Sequence, residues 1–446
     1  MAYKVRVNLI GAYFGMFLSL SCKGRGFSVL TVESARKYGG FMETNVSAEK
    51  ALQFLLGNCP AGGQERVALP DSLGRVLDED IRAGEDIPQF DRSPLDGYAF
   101  RAADTLRAGE DNPLILEVIE EVPAGYTPSK AVSAGKTIKV MTGAPIPEGA
   151  DAVVKYEETL EKGNTVSLFQ AFRSGQNIVR AGEDVMKGQI VARKGSVVNP
   201  PLIGLLAALG ISEISVFRRP RVAVVSTGEE LQDLGEELEK GKIRNSNSYS
   251  LAAYISELGG EPLVIGTAGD KAEEVAVLMK RGLAEADVVM TTGGVSVGDY
   301  DVVQDAVRLA GAEVLFWRID MKPGSPTLAA LKDGKLILGL SGNPAAGMVV
   351  FQLLASPLIK KLAGRAEYLW QRIEVLLKED FRKNSPRRRY LRGRLVWEKG
   401  TALMEFTGGQ GNDVLSSLIE CDLLAEIPAG SGPLKAGEKL EALLLK

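Results

Sequence analysis

Histidine is absent from the 446-residue sequence, and cysteine occurs only three times. Without an imidazole group, Ser-His-Asp and Cys-His nucleophilic catalysis are excluded, and so is every zinc site that needs histidine. Cys22, Cys59 and Cys421 are far apart and form no CxxC pair, so neither a disulfide framework nor a metal cluster is indicated. Chemistry must therefore depend on carboxylates, lysine, arginine, hydroxyl groups and a hard metal ion, and the cysteine usage favours a cytoplasmic protein.

Length, charge and composition set wide limits on the function. The chain is long enough for two to four domains with sizeable cores. A net charge of −4 gives no reason to expect a nucleic-acid partner. Hydrophobic residues make up 45% of the chain and charged residues 25%, which is ordinary for a soluble globular protein.

Residues 1–41 differ from the rest of the chain, because an apolar run from Val7 to Ser21 is bounded by basic residues. That run is shorter than the about 20 residues that span a bilayer, and no small-x-small cleavage site follows it. We interpret residues 1–41 as a disordered tail or as the result of a start codon upstream of the real beginning at Met42. A signal peptide is the third interpretation, and no membrane association is expected.

The stretch from 287 to 344 organises the chain, because three predicted strands in it end in loops of small, polar or basic residues. The strands cover 286–290, 313–317 and 335–340, and the loops cover 291–301, 321–326 and 341–344. With a further strand at 222–225 and helices between the strands, the alternation predicts a mostly parallel sheet. Ligands of such sheets bind at the carboxyl ends of the strands, so an anion site is expected there.

Period-two patterns on both sides of this stretch predict β structure. Short alternating runs between 113 and 168 indicate an all-β insertion, and the runs at 373–377, 392–397, 404–406 and 440–445 indicate a small terminal β domain. Helices are predicted at 47–56, 69–78, 200–209, 249–258 and 271–283. A helix that begins at Pro344 is expected to run to about Gly364, with a kink at Pro357.

Several short motifs complete the sequence evidence. They are Ser93-Pro94-Leu95-Asp96-Gly97-Tyr98-Ala99, Thr142-Gly143-Ala144-Pro145, Gly182-Glu183-Asp184, Ser226-Thr227-Gly228-Glu229-Glu230-Leu231, Gly293-Gly294-Val295-Ser296-Val297-Gly298, Lys322-Pro323-Gly324, Gly342-Asn343-Pro344, Gly408-Gly409-Gln410-Gly411 and Ile427-Pro428. Taken in this order, they resemble the molybdopterin molybdenumtransferase family, which includes MoeA and the gephyrin E domain. The resemblance covers the chain from about residue 45 to its end.

The resemblance implies a multidomain α/β plus β protein with four domains. The expected boundaries are 42–88 with 184–218 for a helical linking domain, 89–183 for a β-rich insertion domain, 219–365 for a three-layer molybdopterin-binding α/β domain with a mostly parallel sheet, and 366–446 for a C-terminal β-barrel-like domain. It also implies an elongated homodimer.

The implied reaction converts adenylylated molybdopterin and molybdate to molybdenum cofactor and AMP, with Mg²⁺ required. Both substrates are anions, while carboxylates follow the strands, and close charges of like sign repel by roughly 1 to 4 kcal/mol per pair. A hard cation between them resolves this conflict, and Mg²⁺ is typically held by one or two carboxylates with phosphate oxygens and water. The adenylyltransferase of the same pathway is a further expected partner.

Site residues follow from the resemblance and from this charge argument. Catalytic roles are expected for Asp96, Thr142, Asp184, Glu230, Asp270, Asp301, Arg318 and Lys322. Cofactor binding is expected for Thr227, Gly228, Ser248, Gly293, Gly294, Ser296, Gly324, Ser341, Asn343 and Pro344. The expected metal ligands are Glu230, Asp270 and Asp301, and in a homodimer Asp96, Thr142 and Asp184 could come from the other subunit.

Three positions depart from the family pattern. Ser325 stands where the family usually has a second lysine, Ser341 where a proline is common, and Asn412 where a serine is frequent. These departures keep open a non-catalytic molybdopterin-binding or scaffold paralogue, and a variant that inserts tungstate is a further alternative. The pathway's adenylyltransferase is a weaker alternative, because its fold resembles only residues 220–365.

Overall fold

The computed structural model describes residues 43–60, 62–295 and 302–445. The described residues form two compact units, one of which contains 43–62, 219–363 and 367–445, and the other 63–218 with 364–366. The expectations for residues 1–41, Met42, Ser296 and Asp301 fall outside the described residues. The four predicted domain boundaries stay predictions, and the two units are described separately below.

The first unit opens with strand β1 (Glu43–Val46) and helix α1 (Ala48–Gly57). The helix begins where predicted, because the Ser47 hydroxyl accepts a hydrogen bond from the Lys50 N–H at 3.2 Å. Ala51 and Leu55 are fully buried in the core of this unit. Residues 43–57 therefore pack with the α/β sheet.

The second unit contains a β-rich insertion and the linking region. Its strands are β2 (Gln64–Ala68), β3 (Ile81–Arg82), β4 (Gly97–Phe100), β5 (Leu114–Val122), β6 (Lys136–Val140), β7 (Ala152–Lys155), β8 (Thr159–Lys162), β9 (Thr165–Leu168), β10 (Ile190–Ala192) and β11 (Glu213–Phe217), and its helix is α2 (Pro200–Ala208). The insertion is a six-stranded sheet in the order β7-β4-β6-β5-β9-β8. The linking region has the pairs β2–β11 and β3–β10 and one α-helix.

The helix predicted over 69–78 is only a 3₁₀ turn, Leu69–Asp71. The Ser72 hydroxyl donates to the Leu69 carbonyl oxygen at 2.6 Å, and Gly74 adopts a φ of 74°. Both features end a helix, because the hydroxyl competes for a backbone acceptor and the left-handed conformation breaks the helical path. Further 3₁₀ turns in the described residues are Ala102–Thr105, Tyr156–Glu158 and Leu415–Leu418.

The α/β part of the first unit is a seven-stranded sheet with helices around it. Its elements are β12 (Arg221–Thr227), β13 (Leu231–Gln232), β14 (Ile243–Arg244), α3 (Ser246–Glu257), β15 (Glu261–Ala268), α4 (Ala272–Glu285), β16 (Val288–Thr292), α5 (Val302–Leu309), β17 (Glu313–Ile319), β18 (Met321–Lys322), β19 (Leu328–Lys332) and β20 (Lys335–Leu340). The sheet order is β1-β17-β19-β20-β16-β12-β15, while β13 pairs with β14. Only β19 runs antiparallel to its neighbours, so the sheet is mostly parallel as predicted.

Strand β19 was not predicted, although a local signal for it exists. β19 and β20 form a hairpin across Asp333 and Gly334, whose φ angles are 49° and 78°. Asp-Gly is a preferred pair for such a tight turn, because both central residues need positive φ. The signal lies in the turn, since residues 328–332 alone carry no clear alternation.

The helix after β20 is continuous but irregular, with α6 (Pro344–Val350), a π-helical turn (Phe351–Ala355) and α7 (Ser356–Leu362). In the π turn the Ser356 N–H donates to the Phe351 carbonyl oxygen, five residues back. Pro357 has no N–H to continue this pattern to Gln352. The indole N–H of Trp370 donates to the Gln352 carbonyl oxygen instead, at 2.6 Å. A side chain from beyond the helix thus satisfies the acceptor that Pro357 leaves open.

Among the described residues, Pro344–Leu362 is also the one helix whose length and hydropathy would suit a membrane span. In its most apolar window, 94% of the residues are buried inside the protein. The helix is therefore a core helix of the first unit.

The C-terminal part of the first unit is a closed five-stranded β-barrel. Its strands are β21 (Gln371–Leu377), β22 (Arg388–Glu398), β23 (Thr401–Phe406), β24 (Leu423–Ile427) and β25 (Lys439–Leu444). The order β22-β23-β21-β25-β24 closes through pairing of β24 with β22, and β18 adds to β22 outside the ring. The fully buried Arg392 holds the loop after β23, because its guanidinium donates to the carbonyl oxygens of Gly409 and Gly411 at 3.0 and 2.8 Å.

The bond from Trp370 to the π turn predicts a specific coupling of two substitutions. Trp370→Phe removes the indole donor and should lower the free energy of unfolding by about 1 to 2 kcal/mol, because the Gln352 acceptor loses its partner. Pro357→Ala supplies a backbone N–H, so Trp370→Phe should cost less in that background. Chemical denaturation of the four proteins of this double-mutant cycle measures the difference. Equal costs in both backgrounds would show that Trp370 does not replace the missing donor.

Candidate active site

A cavity of about 790 Å³ opens at the carboxyl ends of β12, β16 and β20. Its lining comes from the loops after these strands and after β15, from β14, from the first turns of α3, α5 and α6, from the loop before β19, and from one loop of the barrel. The lining residues are Ser226, Thr227, Gly228, Glu230, Leu231, Ile243, Arg244, Asn245, Ser246, Asn247, Asp270, Thr292, Gly293, Gly294, Val295, Val302, Pro326, Ser341, Gly342, Asn343, Pro344 and Asp413. The cavity thus lies where the strand order predicted an anion site.

Two glycines let the loops after β12 and β16 meet at the cavity. Gly293 and Gly294 have φ angles of 96° and 65°. A Cβ atom on Gly293 would overlap the Thr227 carbonyl oxygen, and one on Gly294 would lie 2.9 Å from the Thr227 hydroxyl oxygen. The structure therefore brings together three predicted cofactor-binding residues, Thr227, Gly293 and Gly294. Because the two glycines have no side chains, their backbone atoms form part of the cavity wall.

Two of the three predicted metal ligands line the same cavity. Glu230 follows β12 and Asp270 follows β15, and both side chains are exposed. Gly228 provides space for the Glu230 carboxylate, because a Cβ on Gly228 would lie 2.5 Å from Glu230 Oε2. Asp301 and Ser296 fall outside the described residues. In 43–60, 62–295 and 302–445, no group of three or more His, Cys, Asp or Glu residues is placed to hold a metal ion.

The donor set is compatible with a hard cation and not with a soft one. Glu230 and Asp270 offer carboxylate oxygens, which suit Mg²⁺ together with phosphate oxygens and water. Burial raises the pKa of the Cys59 and Cys421 thiols to about 11, so both stay protonated at neutral pH. Neither cysteine lines the cavity.

The loop after β20 contributes the predicted residues Ser341, Asn343 and Pro344. Asn343 is the N-cap residue of α6 and Pro344 occupies its first turn, as predicted. The Asn343 side chain makes no capping bond, and its backbone N–H donates to the Ser341 hydroxyl at 3.3 Å. The serine that replaces the common proline thus supports the turn by a hydrogen bond.

Asn247 and Asp413 line the cavity but were not predicted. Asn247 Nδ2 donates to Thr292 Oγ1 and to the Gly342 carbonyl oxygen, each at 2.8 Å. The predicted Ser248 does not line the cavity; it lies buried beneath it, with its hydroxyl 2.6 Å from the Ser226 hydroxyl. Of the polar residues at 245–248, Asn245, Ser246 and Asn247 therefore line the cavity, and Ser248 does not.

Three further predicted residues do not line the cavity. Gly324, with a φ of 89°, packs against α6, because a Cβ there would overlap Val350 Cγ2. Arg318 has a φ of 67°, its guanidinium lies 5.5 Å from the Trp317 ring, and its buried Nε finds no hydrogen-bond partner in the described part of the chain. Lys322 is exposed.

Arg387, a basic residue of the barrel, lies next to the Lys322–Pro326 loop. The last residue of this loop, Pro326, lines the cavity. The Ser325 hydroxyl donates to the Ile319 carbonyl oxygen at 2.8 Å, and Arg387 Nη1 lies 3.5 Å from the same hydroxyl. Arg387 also pairs with Asp320 at 3.4 Å. Arg387 lies far from Ser325 in the sequence, and the fold brings the two side chains together.

Asp96 and Thr142, of the second unit, contact each other directly. The backbone N–H and the hydroxyl of Thr142 donate to Asp96 Oδ1 at 2.6 and 2.9 Å. The backbone bond first, and then the hydroxyl bond, hold the pKa of the Asp96 carboxyl below its ordinary value. The pair therefore presents an ionised carboxylate at neutral pH.

The three motif loops of the second unit meet along the segment 87–96. Arg92 forms β-bridges with Pro145 and with Val179, and Ile87 bridges Val185. The Asp184 N–H donates to the Ile87 carbonyl oxygen at 3.0 Å. Segments that are far apart in the sequence, 93–99, 142–145 and 182–184, therefore form one polar region within this unit.

Comparison with known protein families matches three stretches of the chain. Residues 46–210 match the MoeA N-terminal region (domain I and II), residues 223–361 match a probable molybdopterin binding domain, and residues 374–445 match the MoeA C-terminal region (domain IV).

Full-length relatives confirm the match over nearly the whole chain. The chain is 37% identical over 399 residues to a molybdopterin molybdenumtransferase from Staphylococcus aureus strain N315, which covers 90% of this chain and 95% of that protein. It is 36% identical over 401 residues to one from Staphylococcus epidermidis strain ATCC 12228, with 90% and 96% covered.

Solved structures of similar proteins indicate the same family. The molybdopterin biosynthesis MoeA protein from Pyrococcus horikoshii OT3 superposes with a TM-score of 0.77 at 34% identity, covering 90% of this chain and 100% of that chain. A molybdenum cofactor biosynthesis protein from Pyrococcus furiosus shares the fold, with a TM-score of 0.55 at 20% identity. On the sequence, the fold and these relatives, the chain belongs to the MoeA family of molybdopterin molybdenumtransferases.

Proposed function

We propose that this protein inserts molybdenum in the last step of molybdenum cofactor synthesis, converting adenylylated molybdopterin and molybdate to molybdenum cofactor and AMP with Mg²⁺. The observation that carries the proposal is the single cavity in which glycine-rich strand ends meet two carboxylates, Glu230 and Asp270. Glycine loops and helix N-termini suit a phosphate ester, and carboxylates suit the cation that accompanies it.

Glu230 and Asp270 would hold Mg²⁺ between the protein and the phosphoanhydride. Without a cation, each close carboxylate–phosphate pair would repel by roughly 1 to 4 kcal/mol. When bound, Mg²⁺ would polarise the phosphoanhydride and stabilise AMP as the leaving group. The loops after β12 and β16 would position the phosphates against these carboxylates, and Asp301 is proposed as a third ligand on the sequence motif alone.

A basic group next to the cavity would attract molybdate. Lys322, Arg318 and Arg387 carry the positive charge in this region, and the Ser325 hydroxyl lies between the loop and Arg387. An oxyanion prefers such charge-assisted donors. Arg387 could compensate for the lysine that the family usually has at position 325, because it reaches the same position from the barrel.

The Asp96–Thr142 pair and Asp184 are proposed to act in the same reaction. In a homodimer they could complete the cavity of the other subunit, and the pathway's adenylyltransferase would deliver the adenylylated substrate. We also propose a cytoplasmic location, which agrees with this role.

A scaffold protein that binds molybdopterin without turnover is the second candidate, favoured by the substitutions at Ser325, Ser341 and Asn412. AMP release from adenylylated molybdopterin, with Mg²⁺ and with micromolar molybdate or tungstate, separates the two functions. Molybdate-dependent release supports the insertase, tungstate-dependent release supports a tungstate-inserting variant, and binding without release supports the scaffold.

Loss of either carboxylate should weaken the response to Mg²⁺. Glu230→Gln and Asp270→Asn should each raise the Mg²⁺ concentration for half-maximal AMP release by about 10- to 100-fold, because each removes a charged oxygen ligand. Glu229→Gln serves as the matched control, since Glu229 is the adjacent acid and does not line the cavity. An unchanged Mg²⁺ requirement in both variants would remove these two residues from the metal site.

Charge at position 325 should control molybdate affinity. Ser325→Lys should lower the KM for molybdate several-fold and Arg387→Gln should raise it, with little change in the KM for adenylylated molybdopterin. Arg382→Gln, at an exposed position of the same basic region, controls for overall charge. Equal effects on both KM values would mean that Arg387 does not act on the oxyanion alone.

Shared active sites in a homodimer predict recovery of activity by mixing. Asp96→Asn and Asp270→Asn chains should each be inactive alone, whereas a heterodimer of the two should regain about half of the unaltered activity at one intact site. Differently tagged chains, copurified and assayed for AMP release, provide the measurement. An inactive heterodimer would argue that Asp96 and Asp270 act from the same chain.

A further inference from the structure

The side-chain amide of Asn247 has a fixed orientation. The Gly342 carbonyl oxygen can only accept a hydrogen bond, so the Asn247 nitrogen and not its oxygen faces it, at 2.8 Å. The Thr292 hydroxyl donates to the Ser341 carbonyl oxygen at 3.5 Å and therefore accepts the second hydrogen bond of Asn247. The carbonyl oxygens of Gly342 and Ser341 therefore fix which atoms of Asn247 and Thr292 donate hydrogen bonds and which accept them.

As a result, Asn247 Oδ1 is held as a hydrogen-bond acceptor. This oxygen is buried and has no hydrogen-bond partner within residues 43–60, 62–295 and 302–445, although Asn247 lines the cavity. A buried acceptor without a donor is unfavourable, and a ligand N–H or O–H group would recover this cost. Phosphate and molybdate oxygens are themselves acceptors, so they cannot be the groups that Asn247 Oδ1 binds.

Asp413 is a second acceptor in the same cavity, and it comes from the barrel. The adjacent Asn412 carbonyl oxygen accepts a hydrogen bond from the Ala346 N–H at 3.1 Å, and Arg392 fixes the preceding glycines. Asn247 and the Asp413 loop therefore both attach to the segment after β20. Glu230 and Asp270 follow β12 and β15, which lie beyond β16 in the sheet order.

We propose that Asn247 and Asp413 bind the amino-bearing edge of the pterin ring and thereby select a pterin at this end of the cavity. The assignment rests on the proposed function. A 2-amino-4-oxopyrimidine ring presents an amino group and a ring N–H side by side, and both are donors to amide and carboxylate oxygens. Adenine instead has ring nitrogen acceptors on both sides of its amino group. The pterin would therefore lie by the β20 loop, with the phosphates directed toward Glu230 and Asp270.

The test compares a pterin with an analogue that lacks the amino group. Tetrahydropterin and tetrahydrolumazine, whose 2-amino group is replaced by oxygen, compete with molybdopterin for the full chain, and AMP affinity is measured in parallel. The unaltered protein should prefer tetrahydropterin by about tenfold, since a site built for a donor rejects an analogue without it. Asn247→Leu and Asp413→Ala should each reduce this preference at least threefold and leave AMP affinity unchanged.

Asn58→Leu is the matched control, because Asn58 Nδ2 also donates to a backbone carbonyl, that of Phe54 at 2.8 Å, but at the end of α1. It should retain the full preference, whatever it costs in stability. Asp413 is exposed, so its variant tests the assignment if Asn247→Leu fails to fold.

Unchanged preference in folded Asn247→Leu and Asp413→Ala would overturn the assignment, and so would a loss of AMP affinity with molybdopterin affinity preserved. A protein that binds molybdopterin with the expected preference but never releases AMP would instead refute only the insertase.

Discussion

The parallel register of three buried strands is the constraint on which the site depends. Ser226 of β12 lies opposite Thr292 of β16, which lies opposite Leu340 of β20. Because these strands are paired in the same direction and end at the same level, their loops open on one edge of the sheet. The glycines, Glu230 and the first turns of α3 and α6 reach the same cavity for this reason.

The cavity combines groups that would repel an anion with groups that would attract one. Glu230, Asp270 and Asp413 line it, together with backbone at Gly293 and Gly294. Arg244 is the basic residue among the lining residues, and its guanidinium already donates to the carbonyl oxygens of Asp233 and Glu236. A phosphorylated ligand would therefore depend on backbone N–H donors and a bound cation for its charge balance. Arg387 lies outside the lining, beside Ser325.

The sequence predicted the parts of this site that are determined locally. Apolar runs marked β12, β16 and β20, and the loops that follow them contain most of the residues that meet in the cavity. Asn247 and Asp413 were missed, because an asparagine and an aspartate in polar loops carry no local sign of where the chain brings them. Gly324 packs closely against Val350, and a glycine needed for close packing looks the same in sequence as one needed for close approach of a ligand. Strand β24 (Leu423–Ile427) was missed as well.

The helix after β20 holds the barrel at two places. Near its start the Ala346 N–H donates to the Asn412 carbonyl oxygen, and at the π turn the Gln352 carbonyl oxygen accepts from Trp370. Six residues of helix separate these points by about 9 Å. Two links spaced along the helix restrict how the barrel can swing more than one link would, and the pairing of β18 with β22 adds a further connection. Pro357 leaves the Gln352 carbonyl oxygen free to accept from Trp370. This proline thus helps to fix the position from which the Asp413 loop of the barrel faces the cavity.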